Sequence, residues 1–264
     1  MRDVQKEKDS RQVAIDRVGV RNVSYPVVVM DRENGTQNTV ALISMSVSLP
    51  HEYRGTHMSR FIETLEEFKG RIGPATLEGL TECLRSKLDA KEAEIEFQFP
   101  YFVRKPAPVS GIPSYMRHDA SLKGIYKENT FDMITGVEVC VQTLCPCSRE
   151  ISTHGAHNQR TKVKLAVRMD GLVWFEEMIQ MVELSSSAPL YTLLKREDEK
   201  HVTEQAYANP RFVEDVVRDL VVELNEDGRI KWYDISVVSA ESIHNHDAFA
   251  AISRDKRDAD RKSG

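Results

Sequence analysis

The segment from Leu144 to Arg160, LCPCSREISTHGAHNQR, concentrates side chains that can bind a metal or act as a nucleophile. Cys145 and Cys147 flank one proline, and His154 and His157 follow shortly after them. Thiolate and imidazole together suit zinc or a related transition metal. The segment therefore predicts metal or thiol chemistry in the second half of the chain.

The proline between the two cysteines predicts an extended backbone, because proline fixes its own φ and restricts the residue before it. Residues two apart in an extended segment face the same side, roughly 6.6 Å apart. We therefore expect both sulfurs in one space, where one binds a metal and the other faces what the metal binds. An equally acceptable interpretation is that Cys145 and Cys147 are small buried hydrophobes.

The sequence excludes two common kinds of zinc site. A structural zinc finger needs a second cysteine pair, and the zinc deaminases need an H-x-E followed by P-C-x-x-C; neither pattern is present. Any metal site must therefore be assembled from distant segments of the chain.

Further candidate ligands lie near the C-terminal end of the sequence. In ESIHNHDAF, Glu241 precedes His244 and His246, and a His-x-His spacing on an extended segment sends both rings to one side. Surface or capping histidines are a comparable interpretation. Glu199 lies in LKREDEKHVTE, which by itself is typical of a solvated run of charges.

His57 and Arg60 lie in the first half, at the start of a predicted helix. Backbone N–H groups at a helix start can hold an anion. A simple N-terminal turn is the alternative interpretation.

Two similar series of elements position these residues. Hydrophobic periodicity predicts the order strand, strand, helix, helix, strand, strand in each half of the chain. This order predicts an α+β fold of two units, each a four-stranded antiparallel sheet with two helices on one face. The predicted strands are 23–30, 39–49, 93–99, 116–126, 131–143, 161–169, 229–239 and 247–253, and the predicted helices are 58–69, 74–88, 172–184 and 209–224.

The predicted division of the chain follows from this order. Residues 1–17 are expected to form a flexible arm and residues 253–264 a charged, disordered tail. The first unit is expected to span residues 18–127. The second unit is expected to span residues 128–252 and to carry the metal ligands.

Composition limits the class of protein. The 264 residues are 41% hydrophobic and 29% charged, as in globular proteins, and the net charge is -5, which provides no global attraction for nucleic acid. No apolar run reaches the ~20 residues that a membrane span needs. The charged N-terminus lacks the apolar core of a signal peptide, so we expect a cytoplasmic protein whose four cysteines are free thiols or ligands.

Taken together, five segments resemble the type IB GTP cyclohydrolase family, over about Val18 to Ile252. These segments are GTHMSRF, APVSGI, TLCPCSREIS with HGAHNQR, LLKREDEKHVTEQAYANPRFVED and ESIHNHDAFA. The resemblance implies tandem tunnelling-fold (T-fold) units and a homotetramer with active sites at subunit interfaces. It also implies the conversion of GTP and water to 7,8-dihydroneopterin triphosphate and formate, the first step of folate biosynthesis.

The same resemblance implies roles for individual residues. It implies one divalent transition metal per active site, zinc, manganese or iron, held by Cys145, His157, Glu199 and His244. It implies that Cys147 and His246 are catalytic, the second as a proton shuttle. The residues implied to bind the substrate are Glu214 or Glu241 at the purine and His57 and Arg60 at the triphosphate.

Two other functions are compatible with these residues. A nitrile reductase of the queuosine pathway also uses a cysteine, but it needs NADPH and no metal, so the supply of Cys, His and Glu ligands argues against it. A metal-binding or thiol redox-sensing protein without turnover is the second alternative. Neither nucleic acid nor membrane is an expected partner in any of these interpretations.

Overall fold

The computed structural model of the chain describes residue 5 and residues 7–257. None of the described helices is long and apolar enough to cross a membrane. The strands are β1 (Ile15–Asp31), β2 (Gly35–Leu49), β3 (Arg71–Ile72), β4 (Glu92–Pro106), β5 (Pro113–Lys127), β6 (Thr130–Leu144), β7 (Asn158–Met169), β8 (Ala188–Pro189), β9 (Ile230–Ala240) and β10 (Asp247–Asp255). The helices are α1 (Met58–Glu67), α2 (Pro74–Lys87), α3 (Pro146–Ile151), α4 (Phe175–Leu184), α5 (Arg196–Ala208) and α6 (Val213–Glu226).

The strands form one mixed sheet of ten, in the order β10-β9-β7-β6-β5-β4-β2-β1-β3, with β8 paired to β6. The sheet is mixed because β3 pairs with β1 in parallel, whereas β1 and β2 are antiparallel. The expected fold class, tandem four-stranded T-fold units, is therefore wrong. The physical reason is that β4, β5 and β6 each have a hydrogen-bonded neighbour on both sides, so no sheet ends between the two halves of the chain.

The chain divides into two compact units, each built from two segments. One unit comprises Met1–Pro100 with Ser121–Thr135, and the other comprises Tyr101–Ala120 with Gly136–Gly264. The predicted division at residues 127 and 128 instead gave each half one continuous segment. The units differ from it because β4, β5 and β6 are long enough to contribute residues to both.

Among the described residues, the sheet extends into both the predicted arm and the predicted tail. Ile15 already pairs with Leu49 in the sheet, and Ser253 pairs with Asp234. Backbone pairing thus continues into sequence whose charge suggested disorder. Residues 1–4, 6 and 258–264, which belong to the predicted arm and tail, lie outside the described residues.

In the first unit, helices α1 and α2 pack against the apolar face of the sheet, as the periodicity predicts. Gly124 permits this approach, because a Cβ atom there would lie 2.7 Å from Thr81 Oγ1 and 2.9 Å from Leu77 Cγ. The hydrophobic pattern here predicts that Leu77, Leu80, Leu84, Leu88, Ile95, Phe97 and Phe99 face inward. All of them are buried except Leu88, the C-cap of α2, which is half-buried.

In the second unit, α4 and α6 cover strands β7, β9 and β10. The predicted start of the last helix at Asn209 is wrong: α6 begins at Val213, and Asn209 is the C-cap of α5. The hydrophobic pattern of residues 209–224 predicts that Phe212 points inward, but Phe212 is 41% exposed because it is the N-cap of α6. The buried residues that join these helices to the sheet include Val163, Leu165, Val167, Met178, Val182, Val216, Leu220, Leu224, Ile235 and Val237.

Candidate functional site

Cys145 lies where strand β6 ends and helix α3 begins. Its backbone is extended (φ -66°, ψ 117°), and its sulfur accepts a hydrogen bond from the backbone N–H of Ser148 at 3.4 Å, as an N-cap residue does. Pro146 occupies the first turn of α3, a position that suits proline. The expected extended geometry for both cysteines is therefore wrong, because the chain turns helical at Pro146 and Cys147 lies exposed in the first turn.

His157 lies directly beside Cys145. The backbone N–H of Cys145 donates to the carbonyl oxygen of His157 at 3.1 Å, and the N–H of His157 donates to Ser148 Oγ at 2.9 Å. The imidazole Nδ1 lies 2.5 Å from Gln159 Nε2 and 3.3 Å from Ser242 Oγ. Both recorded contacts use Nδ1, so Nε2 is the nitrogen that a metal would meet.

Glu241 reaches the same place from strand β9. Its Oε2 accepts a hydrogen bond from Gln159 Nε2 at 3.2 Å. Gln159 itself is only 7% exposed and begins a ladder of buried polar residues that crosses three strands. The other members of this ladder are Thr143, Thr161 and Ser239.

Glu199 lies on α5, a helix that the sequence analysis did not predict. Val202 and Ala206 of α5 form a buried cluster with Leu144, which precedes Cys145, and Ala156, which precedes His157, packs against that cluster. Glu199 is one turn from Val202, on the same side of the helix. The packing of α5 thus explains how an exposed carboxylate in a charged run comes to the neighbourhood of Cys145.

Asp198 fixes the first turn of α5. It is fully buried, and its carboxylate accepts hydrogen bonds from the backbone N–H groups of Val109, Ser110 and Lys195 at 2.8, 2.9 and 2.9 Å, and from the Ser110 hydroxyl at 2.7 Å. Burial acts to raise the pKa of Asp198, but these hydrogen bonds outweigh it and lower the pKa. Asp198 belongs to the charged run whose composition predicts a solvated segment, whereas the structure buries its carboxylate.

Glu214 lies in the first turn of α6 and is exposed. The start of this helix is joined to the cysteine segment, because the backbone N–H of Arg211 donates to the carbonyl oxygen of Leu144 at 3.1 Å. Glu214 follows Arg211 by three residues, and Cys145 follows Leu144 directly, so this hydrogen bond joins the two segments that carry them.

His244 and His246 lie in an irregular segment between β9 and β10. Their rings stack with centroids 5.2 Å apart and an interplanar angle of 22°, which confirms that both rings face the same side. Both are exposed, and the Ser242 contact to His157 ties this segment to the site.

His57 and Arg60 belong to the first unit. His57 is the N-cap of α1, and Arg60 Nη1 donates to the carbonyl oxygen of Lys87 at 2.8 Å. Their predicted contact with a triphosphate remains a prediction.

The second unit thus holds ligand types that fit a transition metal, with Cys145 and His157 adjacent in the backbone and Glu199 and His244 on neighbouring segments. Thiolate, imidazole and carboxylate are the ligands of zinc, iron and manganese sites. Among residues 5 and 7–257, no three His, Cys, Asp or Glu side chains already converge closely enough to hold an ion. The set therefore fits a transition metal by the chemistry of its side chains.

Solved structures with a similar fold are urate-oxidising enzymes. Uricase from Arthrobacter globiformis superposes with a TM-score of 0.53 at 10% identity, over 90% of this chain and 93% of that one. A hyperthermostable mutant of urate oxidase from Bacillus sp. TB-90 gives 0.53 at 11% identity, over 92% and 99%. At this identity the likeness concerns the fold alone.

Several relatives are far more similar to this chain in sequence than these solved structures are. GTP cyclohydrolase FolE2 of Pseudothermotoga lettingae is 49% identical over 98% of this chain and 100% of its own length. The FolE2 of Kosmotoga olearia is 51% identical over 97% and 99%, and that of Desulfosudis oleivorans is 50% identical over 96% and 97%. The motif resemblance pointed to GTP cyclohydrolases of type IB, and the family model that matches residues 1–250 is described as type I GTP cyclohydrolase folE2. This chain therefore belongs to the type I GTP cyclohydrolase folE2 family.

Proposed function

We propose that Cys145, His157, Glu199 and His244 hold one divalent metal, with which this GTP cyclohydrolase of folate biosynthesis converts GTP and water to 7,8-dihydroneopterin triphosphate and formate. The observation that carries the proposal is the backbone hydrogen bond between Cys145 and His157, which keeps a thiol and an imidazole together. Zinc, manganese and iron all suit such mixed ligands.

A bound metal of this kind supplies Lewis-acid activation of a water molecule near neutral pH. The chain's own residues bind and orient the substrate around that water. Glu214, at the positively polarised N-terminus of α6, is proposed to accept hydrogen bonds from the N–H groups of a guanine, and Glu241 is the alternative anchor. His57 and Arg60 are proposed to contact the triphosphate.

Two side chains are proposed to act on the opening imidazole ring of guanine. Cys147 is exposed in the first turn of α3, two residues after the proposed ligand Cys145, where its sulfur is accessible to a substrate. His246 stacks on His244, which supports the proposal that it is a proton shuttle beside the proposed ligand His244.

We further propose a cytoplasmic homotetramer with active sites at subunit interfaces. Light scattering on the purified chain tests the assembly, since an active monomer would contradict it. The expected partners are GTP and further copies of this chain, with neither nucleic acid nor membrane involved.

Formate release from GTP, together with pterin fluorescence after oxidation of the product, tests the activity. We expect turnover in the metal-loaded chain, loss on chelation and recovery on addition of metal. Oxidation of NADPH with a nitrile substrate would instead indicate the reductase, and metal binding with thiol oxidation but no turnover would indicate the sensor.

A further inference from the structure

We infer that Gln159 is a positioning residue, which orients the imidazole of His157 for metal binding and places the Glu241 carboxylate beside it. This inference rests on the proposed function, and it concerns a residue that the sequence motifs assign no role. It is drawn from the register of two strands and from the contacts of one buried carboxamide.

The register of the sheet brings Gln159 opposite Glu241. In the antiparallel pair of β7 and β9, Arg160 lies opposite Ala240. The next positions outward are therefore Gln159, before Arg160, and Glu241, after Ala240. Opposed residues in an antiparallel pair point to the same face of the sheet. The contact between them is thus built into the strand pairing.

Three of the four hydrogen-bonding positions of the Gln159 carboxamide have partners. Its Nε2 reaches His157 Nδ1 at 2.5 Å and Glu241 Oε2 at 3.2 Å, and its oxygen accepts from the Thr143 hydroxyl at 3.3 Å. A side chain that is 7% exposed and bonded at three positions keeps its carboxamide in one place, although a half turn can exchange its nitrogen and oxygen. Gln159 therefore holds its carboxamide between the two residues it touches.

The carboxamide suits His157 because it offers both an acceptor and a donor. When Nε2 gives its lone pair to a metal, the ring proton lies on Nδ1 and needs an acceptor, and the carboxamide oxygen provides one after a half turn. The same half turn replaces the amide N–H group next to the Glu241 carboxylate with the carboxamide oxygen. Metal binding at His157 and the position of Glu241 are therefore coupled through Gln159.

Two substitutions separate the two contacts. Gln159→Met keeps the length of the side chain but offers Nδ1 no acceptor, so we expect metal affinity to fall roughly 10- to 100-fold. Gln159→Glu keeps an acceptor for Nδ1–H but repels Glu241. We expect Gln159→Glu to bind metal within about 3-fold of the unsubstituted chain, yet to lose turnover or raise KM.

Metal affinity is measured without GTP, by competition with a chelator, and the visible absorption of the cobalt-loaded chain reports the ligand geometry. Ser239→Ala is the matched control, because it removes a hydroxyl from the same buried ladder without touching His157 or Glu241. It should leave metal affinity and the cobalt spectrum unchanged. Thermal unfolding of each variant checks that the fold is retained.

A double variant tests whether Gln159→Glu acts through Glu241. In a Glu241→Gln background the repelled carboxylate is gone, so Gln159→Glu should cause no further loss of turnover. An additive loss would overturn the inference, as would equal loss of metal in Gln159→Met and Gln159→Glu. If Gln159→Met leaves metal affinity unchanged while His157→Ala loses the metal, the role of Gln159 is overturned. If His157→Ala also keeps the metal, the whole metal centre is overturned.

Discussion

The backbone N–H of Arg211 donates to the carbonyl oxygen of Leu144 at 3.1 Å, which joins the start of α6 to the residue before Cys145. This bond joins the segment that leads into the N-terminus of α6, where Glu214 lies, to the end of the strand that precedes Cys145. Residues 144 and 211 are far apart in sequence, and the bond therefore depends on the packing of α5 and α6 in the second unit. The first two predictions concern the side chains on either side of it.

The two cysteines should respond differently to replacement by alanine. Cys145 is half-buried and bonded to the His157 backbone, so Cys145→Ala should lower metal occupancy and lose activity that added metal only partly restores. Cys147 is exposed in α3, so Cys147→Ala should keep bound metal and GTP affinity but lose most turnover. Metal analysis and formate release measure the two effects.

Cys83→Ala is the control for both variants, because Cys83 lies on α2 in the first unit. Loss of metal in Cys147→Ala with retention in Cys145→Ala would reverse the assigned roles. Full activity in both variants would support the interpretation that the pair are inert thiols.

The choice between Glu214 and Glu241 as purine anchor is tested by Glu214→Gln. A hydrogen bond to a charged group contributes about 1.5–3 kcal/mol, so the loss should raise KM for GTP roughly 10- to 150-fold while metal affinity stays the same. Glu204→Gln, an exposed carboxylate on α5 paired with Lys200, is the control. An unchanged KM in Glu214→Gln with a large rise in Glu241→Gln would move the assignment to Glu241.

Lys105 and Glu183 form a largely buried ion pair in the second unit. The ammonium lies 2.6 Å from Glu183 Oε1, donates to the carbonyl oxygen of Leu190 and lies over the Tyr191 ring. Lys105→Met leaves the Glu183 carboxylate buried without its cation, so the free energy of unfolding should fall by about 3 kcal/mol. The double variant Lys105→Met/Glu183→Leu removes both charges and should recover much of that loss. Denaturant unfolding measures both, and equal losses in the single and double variants would contradict the expectation.

His118 should make the stability of the chain depend on pH. It is 3% exposed, and burial together with the nearby Lys105 cation lowers the pKa of His118 to about 4, while Asp119 opposes the shift. The unfolded chain binds a proton to this imidazole near pH 6.5, whereas the folded chain does so only near pH 4. Stability is therefore full above pH 6.5 and falls by up to about 3 kcal/mol as the pH drops towards 4.

His118→Gln removes this titration, so the fall in unfolding free energy between pH 7 and pH 4.5 should be smaller in the variant than in the unsubstituted chain. The difference between the two proteins isolates His118 from the other titrating groups. An identical pH dependence in both would show that His118 is protonated equally in the folded and unfolded states.

Local patterns predicted the elements whose hydrophobic residues repeat regularly. The leucines of α2 and the alternation in β4 and β7 are buried as expected, because each pattern is decided by residues a few positions apart. Shorter or polar elements were missed. Helix α5 has the composition of a solvated charge run, and only Asp198, Val202 and Ala206 among its residues are buried.

The geometry at the two cysteines shows a competition between local rules. Proline at position 146 favours an extended residue before it, and Cys145 is extended as that rule predicts. Proline also suits the first turn of a helix, and α3 begins there once Cys145 caps it. The second rule decided the position of Cys147. The three residues of the CPC motif do not by themselves indicate which of the two rules applies.

The sequence by itself determined which candidate ligand side chains are present and, through its motifs, the cyclohydrolase family. Thiol, imidazole and carboxylate chemistry is a property of the side chains and does not depend on the fold. Only the tertiary structure decided which segments meet, because contacts between residues distant in sequence depend on strand register and helix packing. Because of these long-range contacts the strands form one ten-stranded sheet, whereas the sequence pattern predicted two separate sheets. They also set Gln159 opposite Glu241, a contact that no spacing in the sequence indicates.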